Sequence, residues 1–105
     1  MPINYRNYLS PNITTATVVY NPVSTGIQAT VIGLLLSNTS STNAVATVTL
    51  TSGTVTASIV TNVIIPVGSS LNVVDASRLI VAQNNFVTVT PTASVDVIVS
   101  TVEVT

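Results

Sequence analysis

Residues 44–51 alternate cleanly: Ala44, Ala46, Val48 and Leu50 share one parity, Thr47, Thr49 and Thr51 the other. This is the two-residue period of a strand with one face in a core and one in water. Residues 28–36 read differently, because Val31, Gly33 and Leu35 on one parity and Ile32, Leu34 and Leu36 on the other are all apolar or small. That pattern predicts a strand covered on both faces. No segment shows a helical period, β-branched residues dominate, and Pro, Gly, Asn and Ser punctuate the chain roughly every eight to twelve residues.

The remaining predicted strands are residues 14–20, 54–61, 63–65, 71–74, 79–81, 86–90 (with Val87 and Val89 inward) and 95–104. Polar or turn-forming stretches separate them: Asn21 to Gly26, Ser37 to Asn43, Ser52-Gly53, Pro66-Val67-Gly68, Asp75-Ala76-Ser77, Asn84-Asn85 and Pro91 to Ser94. The expected fold is all-β, a single antiparallel β-sandwich, jelly-roll or immunoglobulin-like, of about eight short strands with an N-terminal arm. Residues 1–13 are the arm and 14–105 the sandwich domain. At 105 residues there is chain for one core.

Composition narrows the chemistry. Charged residues are 5% of the chain, lysine and histidine do not occur, and the formal charge is −1. The cationic surface that supplies most nucleic-acid affinity is therefore missing, and no nucleic-acid partner is expected. The longest apolar run, Val31 to Leu36, is far short of the ~20 residues of a spanning helix, and aromatics are too few for the girdles of a membrane barrel, so no membrane partner is expected. No basic segment followed by an apolar one opens the chain, so no signal peptide is expected. Cysteine is absent, which leaves packing and backbone pairing to hold the fold.

The carboxylates are Asp75, Asp96 and Glu103. Asp96 and Glu103 stand an odd number of residues apart on one strand, so they point to opposite faces and cannot form an acid–base pair. Asp75 is expected to shape a turn and pair with Arg78, Asp96 to sit near the surface at a strand start, and Glu103 to guard an exposed end. The serines and threonines have no histidine or lysine to activate them, and metal ligands are too few. No catalytic, cofactor-binding or metal residues are expected. Asn12-Ile13-Thr14 and Asn38-Thr39-Ser40 match the glycosylation sequon, but a chain rich in these residue types produces such triplets by chance.

Residues 44–51, 55–60 and 95–104 combine high β-propensity with almost no charge, and no lysine guards them. Such edges and faces invite association, so a homo-oligomer is expected, with other subunits covering them.

Several stretches, in order and spacing, also resemble a known family. Val31-Ile32-Gly33-Leu34-Leu35-Leu36-Ser37-Asn38-Thr39-Ser40, Val48-Thr49-Leu50-Thr51, Ile65-Pro66-Val67-Gly68-Ser69-Ser70-Leu71, Val87-Thr88-Val89-Thr90 and Ser94-Val95-Asp96-Val97-Ile98-Val99-Ser100 resemble small virion structural proteins of tailed bacteriophages. The resemblance spans roughly residues 15–105, with Ala82-Gln83-Asn84-Asn85 where a glycine-aspartate turn is usual. It implies a β-sandwich on the particle surface without catalytic residues or cofactors. The expected role is a capsid decoration or cement protein that binds the major capsid protein or other virion proteins, as a trimer. A tail, neck or fibre-associated component is the alternative, and a carbohydrate-binding sandwich a further one.

MPINYRNYLSPNI stands apart from the rest. Pro2, Pro11 and the asparagines Asn4, Asn7 and Asn12 leave it no continuous apolar face, so it reads as an arm ahead of the first strand. Tyr5, Arg6 and Tyr8 are residue types enriched where protein surfaces anchor to each other. They are the expected partner-binding residues, and deletion of residues 1–10 is expected to spare the fold.

Overall fold

The computed structural model describes residues 3–21, 28–73, 79–81 and 85–104. They form strands β1 (Ile3–Ile13), β2 (Thr17–Tyr20), β3 (Gln28–Asn38), β4 (Ala44–Ser52), β5 (Val55–Ile65), β6 (Ser70–Asn72), β7 (Leu79–Val81), β8 (Asn85–Pro91) and β9 (Val95–Val104), with no helix among the described residues. One sheet has the order β1-β9-β3-β6, with β7 pairing β3 beyond β6; the other has the order β2-β8-β4-β5. All pairings are antiparallel.

The pairing is nested. The outermost strands β1 and β9 pair, then β2 with β8, then β3 with β6 and β7, then β4 with β5 around the innermost hairpin. With β6 and β7 counted as one broken strand, this is a long hairpin rolled so that successive pairs alternate between two sheets. That arrangement is a jelly roll, the first of the two sandwich types the sequence left open.

The core lies between the sheets. Val31, Leu34 and Leu36 of β3 and Val95, Val97 and Val99 of β9 face Ala44, Ala46 and Val48 of β4 and Val87 and Val89 of β8, all buried. Each of these valines and leucines contributes about 1.5–3 kcal/mol when fully buried, so this cluster is what drives the two sheets together. β4 and β8 therefore show the expected alternation. β3 does not follow simple parity: its register against β9 shifts between Val31 and Gly33. The extra residue, Ile32, bulges outward and brings Val31, Leu34 and Leu36 onto the same inner face. The described residues leave the outer face of β3 open at Ile32, which is exposed.

Two turns form where the sequence placed them, with adjustments. The β4–β5 hairpin turns on Gly53-Thr54, one residue later than Ser52-Gly53, because Ser52 pairs with Val55 and Gly53 takes the positive φ of 62°. At Pro66 to Ser69 the Ser69 N–H donates to the Pro66 carbonyl at 3.0 Å, and Gly68 supplies a φ of 73°. The predicted strands at 54–61 and 63–65 merge into β5, kinked at Asn62 with a φ of 51°. The expected turn at Asp75 with its Arg78 partner, most of the Asn21 to Gly26 turn, and Asn84 lie outside the described residues.

Residues Ile3–Ile13 are a strand and not an arm. β1 runs along β9 from Ile3 opposite Val104 to Ser10 opposite Val97 without interruption, then bulges before Ile13 meets Val95. Pro11 falls in that bulge, and Asn12 there has a φ of 54° with its N–H donating to Asp96 Oδ1 at 2.9 Å. The prolines and asparagines misled because an apolar inner face is not needed here. The parity of β1 that faces the other sheet carries Asn4, Arg6, Tyr8 and Ser10, and Asn4 and Arg6 lie beside Glu103 and Thr101, the polar end of β9.

Candidate functional site

Parity on β9 decides where Glu103 goes. It shares its face with Val95, Val97 and Val99, so it points between the sheets and is 5% exposed. This corrects the expectation of an exposed end. A buried carboxylate is costly unless its oxygens are satisfied, and three side chains converge on it. Tyr8 of β1 donates its hydroxyl to Oε2 at 2.5 Å, and Tyr20 of β2 donates to the same oxygen at 2.7 Å. Arg6 of β1 places Nε 3.4 Å from Oε1. The phenol rings meet with centroids 5.0 Å apart and planes tilted by 47°, a favourable aromatic geometry.

Burial and the bond to Glu103 push the Tyr8 phenol up to about 12, and Tyr20 is raised further for the same causes in the same order. Both therefore stay protonated as donors. Thr101 lies beside the Tyr20 phenol, but its buried hydroxyl makes no hydrogen bond of proper geometry with the described residues. The cluster holds no activated nucleophile and no open base. What it does is mechanical: Glu103 ties β1 to β9 within one sheet and, through Tyr20, ties that sheet to β2 of the other.

The three residues singled out from the sequence thus separate. Arg6 and Tyr8 turn inward to Glu103, although the Arg6 side chain is still 57% exposed. Tyr5 points outward and is 78% exposed. There it joins a second feature, the outer face of the β1-β9-β3 sheet. Leu9, Ile98 and Leu35 form one cross-strand row and Tyr5, Val102 and Thr30 another, with the small row Asn7, Ser100 and Gly33 between them. Ile3, Tyr5 and Leu9 are 60%, 78% and 67% exposed. A depression of about 550 Å³ lies along this strip, lined by Tyr5, Arg6, Asn7, Tyr8, Ile32, Ser100 and Thr101.

Asp96 lies on the opposite face from Glu103, as their spacing required, and holds the β1 bulge. Among the described residues no three His, Cys, Asp or Glu side chains gather to hold a metal. Of the two sequons, Asn38 is buried and donates to the carbonyls of Thr42 and Ile65, both at 2.8 Å, so its amide is committed to the fold. The Tyr8–Glu103–Tyr20 cluster was missed in the sequence. The parity of Glu103 with Val95, Val97 and Val99 was the available signal, whereas its phenol partners lie 95 and 83 residues away.

The fold and its surfaces define a jelly-roll β-sandwich with an internal carboxylate clasp and one open apolar sheet face. Comparison with protein-family models, with curated proteins and with solved structures returns no match.

Proposed function

We propose that the chain is a non-enzymatic structural subunit of a bacteriophage virion, a capsid decoration or cement protein that binds the major capsid shell and stabilises the particle. The carrying observation is the exposed apolar face built by Ile3, Tyr5, Leu9, Ile32 and Ile98 on one sheet. Contiguous apolar surface of this kind marks an interaction site. The sequence resemblance supplies the virion setting, and the jelly roll is an architecture that also builds viral capsid and lectin domains, though a fold alone does not define a function.

Proteomics and reconstruction of intact particles test this reading. The expected result is the chain on the outer shell at a copy number matching the shell lattice; its absence from purified particles overturns it. A copy number matching a ring at the neck or tail supports the alternative placement in the virion. A carbohydrate-binding reading draws on Tyr5, an exposed aromatic flanked by Asn7 and Ser100 at the depression. A hit on a glycan array, lost in Tyr5→Ala, would favour it.

A further inference from the structure

Sheet edges are where this sandwich differs from one side to the other. Each exposes unpaired backbone N–H and C=O groups, and proteins usually protect such edges by shortness, bulges or charge. Among the described residues, β2, β6 and β7 are short, at 4, 3 and 3 residues. β5 is long but broken by two register shifts and by Asn62 in the left-handed region. β1 has none of these protections over Ile3 to Ser10, where its pairing with β9 is regular and no strand among the described residues pairs with its outer edge. Its one charge, Arg6, is turned inward onto Glu103.

We infer that β1 pairs antiparallel with β1 of a second copy about a two-fold axis at Asn7, joining two sheets into one continuous sheet. The register follows from the side chains. An axis at Arg6 sets two arginines directly opposite each other, which is unfavourable. An axis at Tyr5 carries Leu9 past Ile3, the first residue of β1, so that the strand pairs only over residues 3–7. An axis at Asn7 places Tyr5 opposite Leu9 of the second copy, Arg6 opposite its Tyr8, Asn4 opposite its Ser10, and the two Asn7 amides together, all within the regular part of β1. Those are an aromatic–aliphatic pair and a cation beside a phenol ring, each occurring twice by the symmetry, and one amide pair on the axis. The apolar rows of the two outer faces then run together into one wider surface. The interface is isologous and closes at two copies, in contrast to the trimer expected from the sequence.

This inference rests on the assembly reading of the same surface, but it is tested in solution without particles, so either can fail alone. Sedimentation of the full chain is expected to give twice the 10.8 kDa chain mass, dissociating on dilution. Tyr5→Lys and Leu9→Lys, both on exposed positions, are expected to give folded monomers by circular dichroism. Oxidised Asn7→Cys is expected to form a disulfide dimer, since residues directly opposite in an antiparallel pair bring Cβ atoms within reach of a disulfide, whereas Arg6→Cys is not. A monomeric wild-type chain overturns the inference. So does a dimer that withstands both lysines, or one that cross-links through Arg6→Cys and not Asn7→Cys.

Discussion

The hydroxyl of Tyr20, on the edge of one sheet, donates at 2.7 Å to the carboxylate of Glu103, on an inner strand of the other. The bond crosses the sandwich at the end where the valine core gives way to polar residues. Replacing Tyr20 with Phe removes one donor from a buried carboxylate and is expected to cost about 1.5–3 kcal/mol, the range for hydrogen bonds to charged groups. Urea denaturation measures it.

Glu103→Ala removes the acceptor and leaves two phenols and a guanidinium without their shared partner. Arg6 is exposed enough to be solvated alone, so the expected loss comes from the phenols, about 1–3 kcal/mol for each hydroxyl left unsatisfied. Glu103→Gln keeps the shape and an acceptor oxygen, and is expected to fall between this variant and the wild type in the same denaturation series.

The phenols also set an alkaline limit. A tyrosine in the unfolded chain ionises near pH 10, whereas Tyr8 holds its proton to about pH 12 and Tyr20 holds its proton beyond the ordinary range as well. The folded state is then the more protonated one. The stabilisation is present in full below pH 10 and is lost as pH rises through the folded values. Melting temperature is expected to fall with a steepening slope above pH 10, and the double variant Tyr8→Phe/Tyr20→Phe to lose that extra slope.

Thr101→Val replaces a buried hydroxyl that has no hydrogen-bond partner among the described residues with a methyl of similar volume. Removing an unsatisfied polar group is neutral or stabilising, so the variant is expected to match or exceed wild-type stability. A clear loss in calorimetry would show that the hydroxyl is satisfied after all.

Deletion of residues 1–10 now carries the opposite expectation from the one its composition suggested. It strips the regular part of β1 from β9 and removes Arg6 and Tyr8 from Glu103. A large drop in melting temperature or failure to fold is expected, with circular dichroism as the readout.

How much of this was legible in the sequence depended on how local the signal was. Ala44, Ala46 and Val48, like Val87 and Val89, announce their inner face by parity alone, because a regular strand has a fixed period. β3 defeated parity because one bulged residue, Ile32, exchanges the faces of everything after it. β1 was misread because its inner face is polar, and only its position beside the polar end of β9 explains why that is tolerated. Tyr5, Arg6 and Tyr8 were read together as one partner-binding group, and nothing local distinguishes Tyr5 from Tyr8; the two differ by the side of the strand each occupies and by what β9 offers there.

The nested pairing also orders events in time. The partner of Ile3 is Val104, and β9 lies between β1 and β3. During synthesis β1 must therefore wait for its partner until β9 has left the ribosome, while the β4–β5 hairpin can close as soon as it emerges. For that interval the apolar edge of β1 is available to any other chain nearby, including a second one of its own kind.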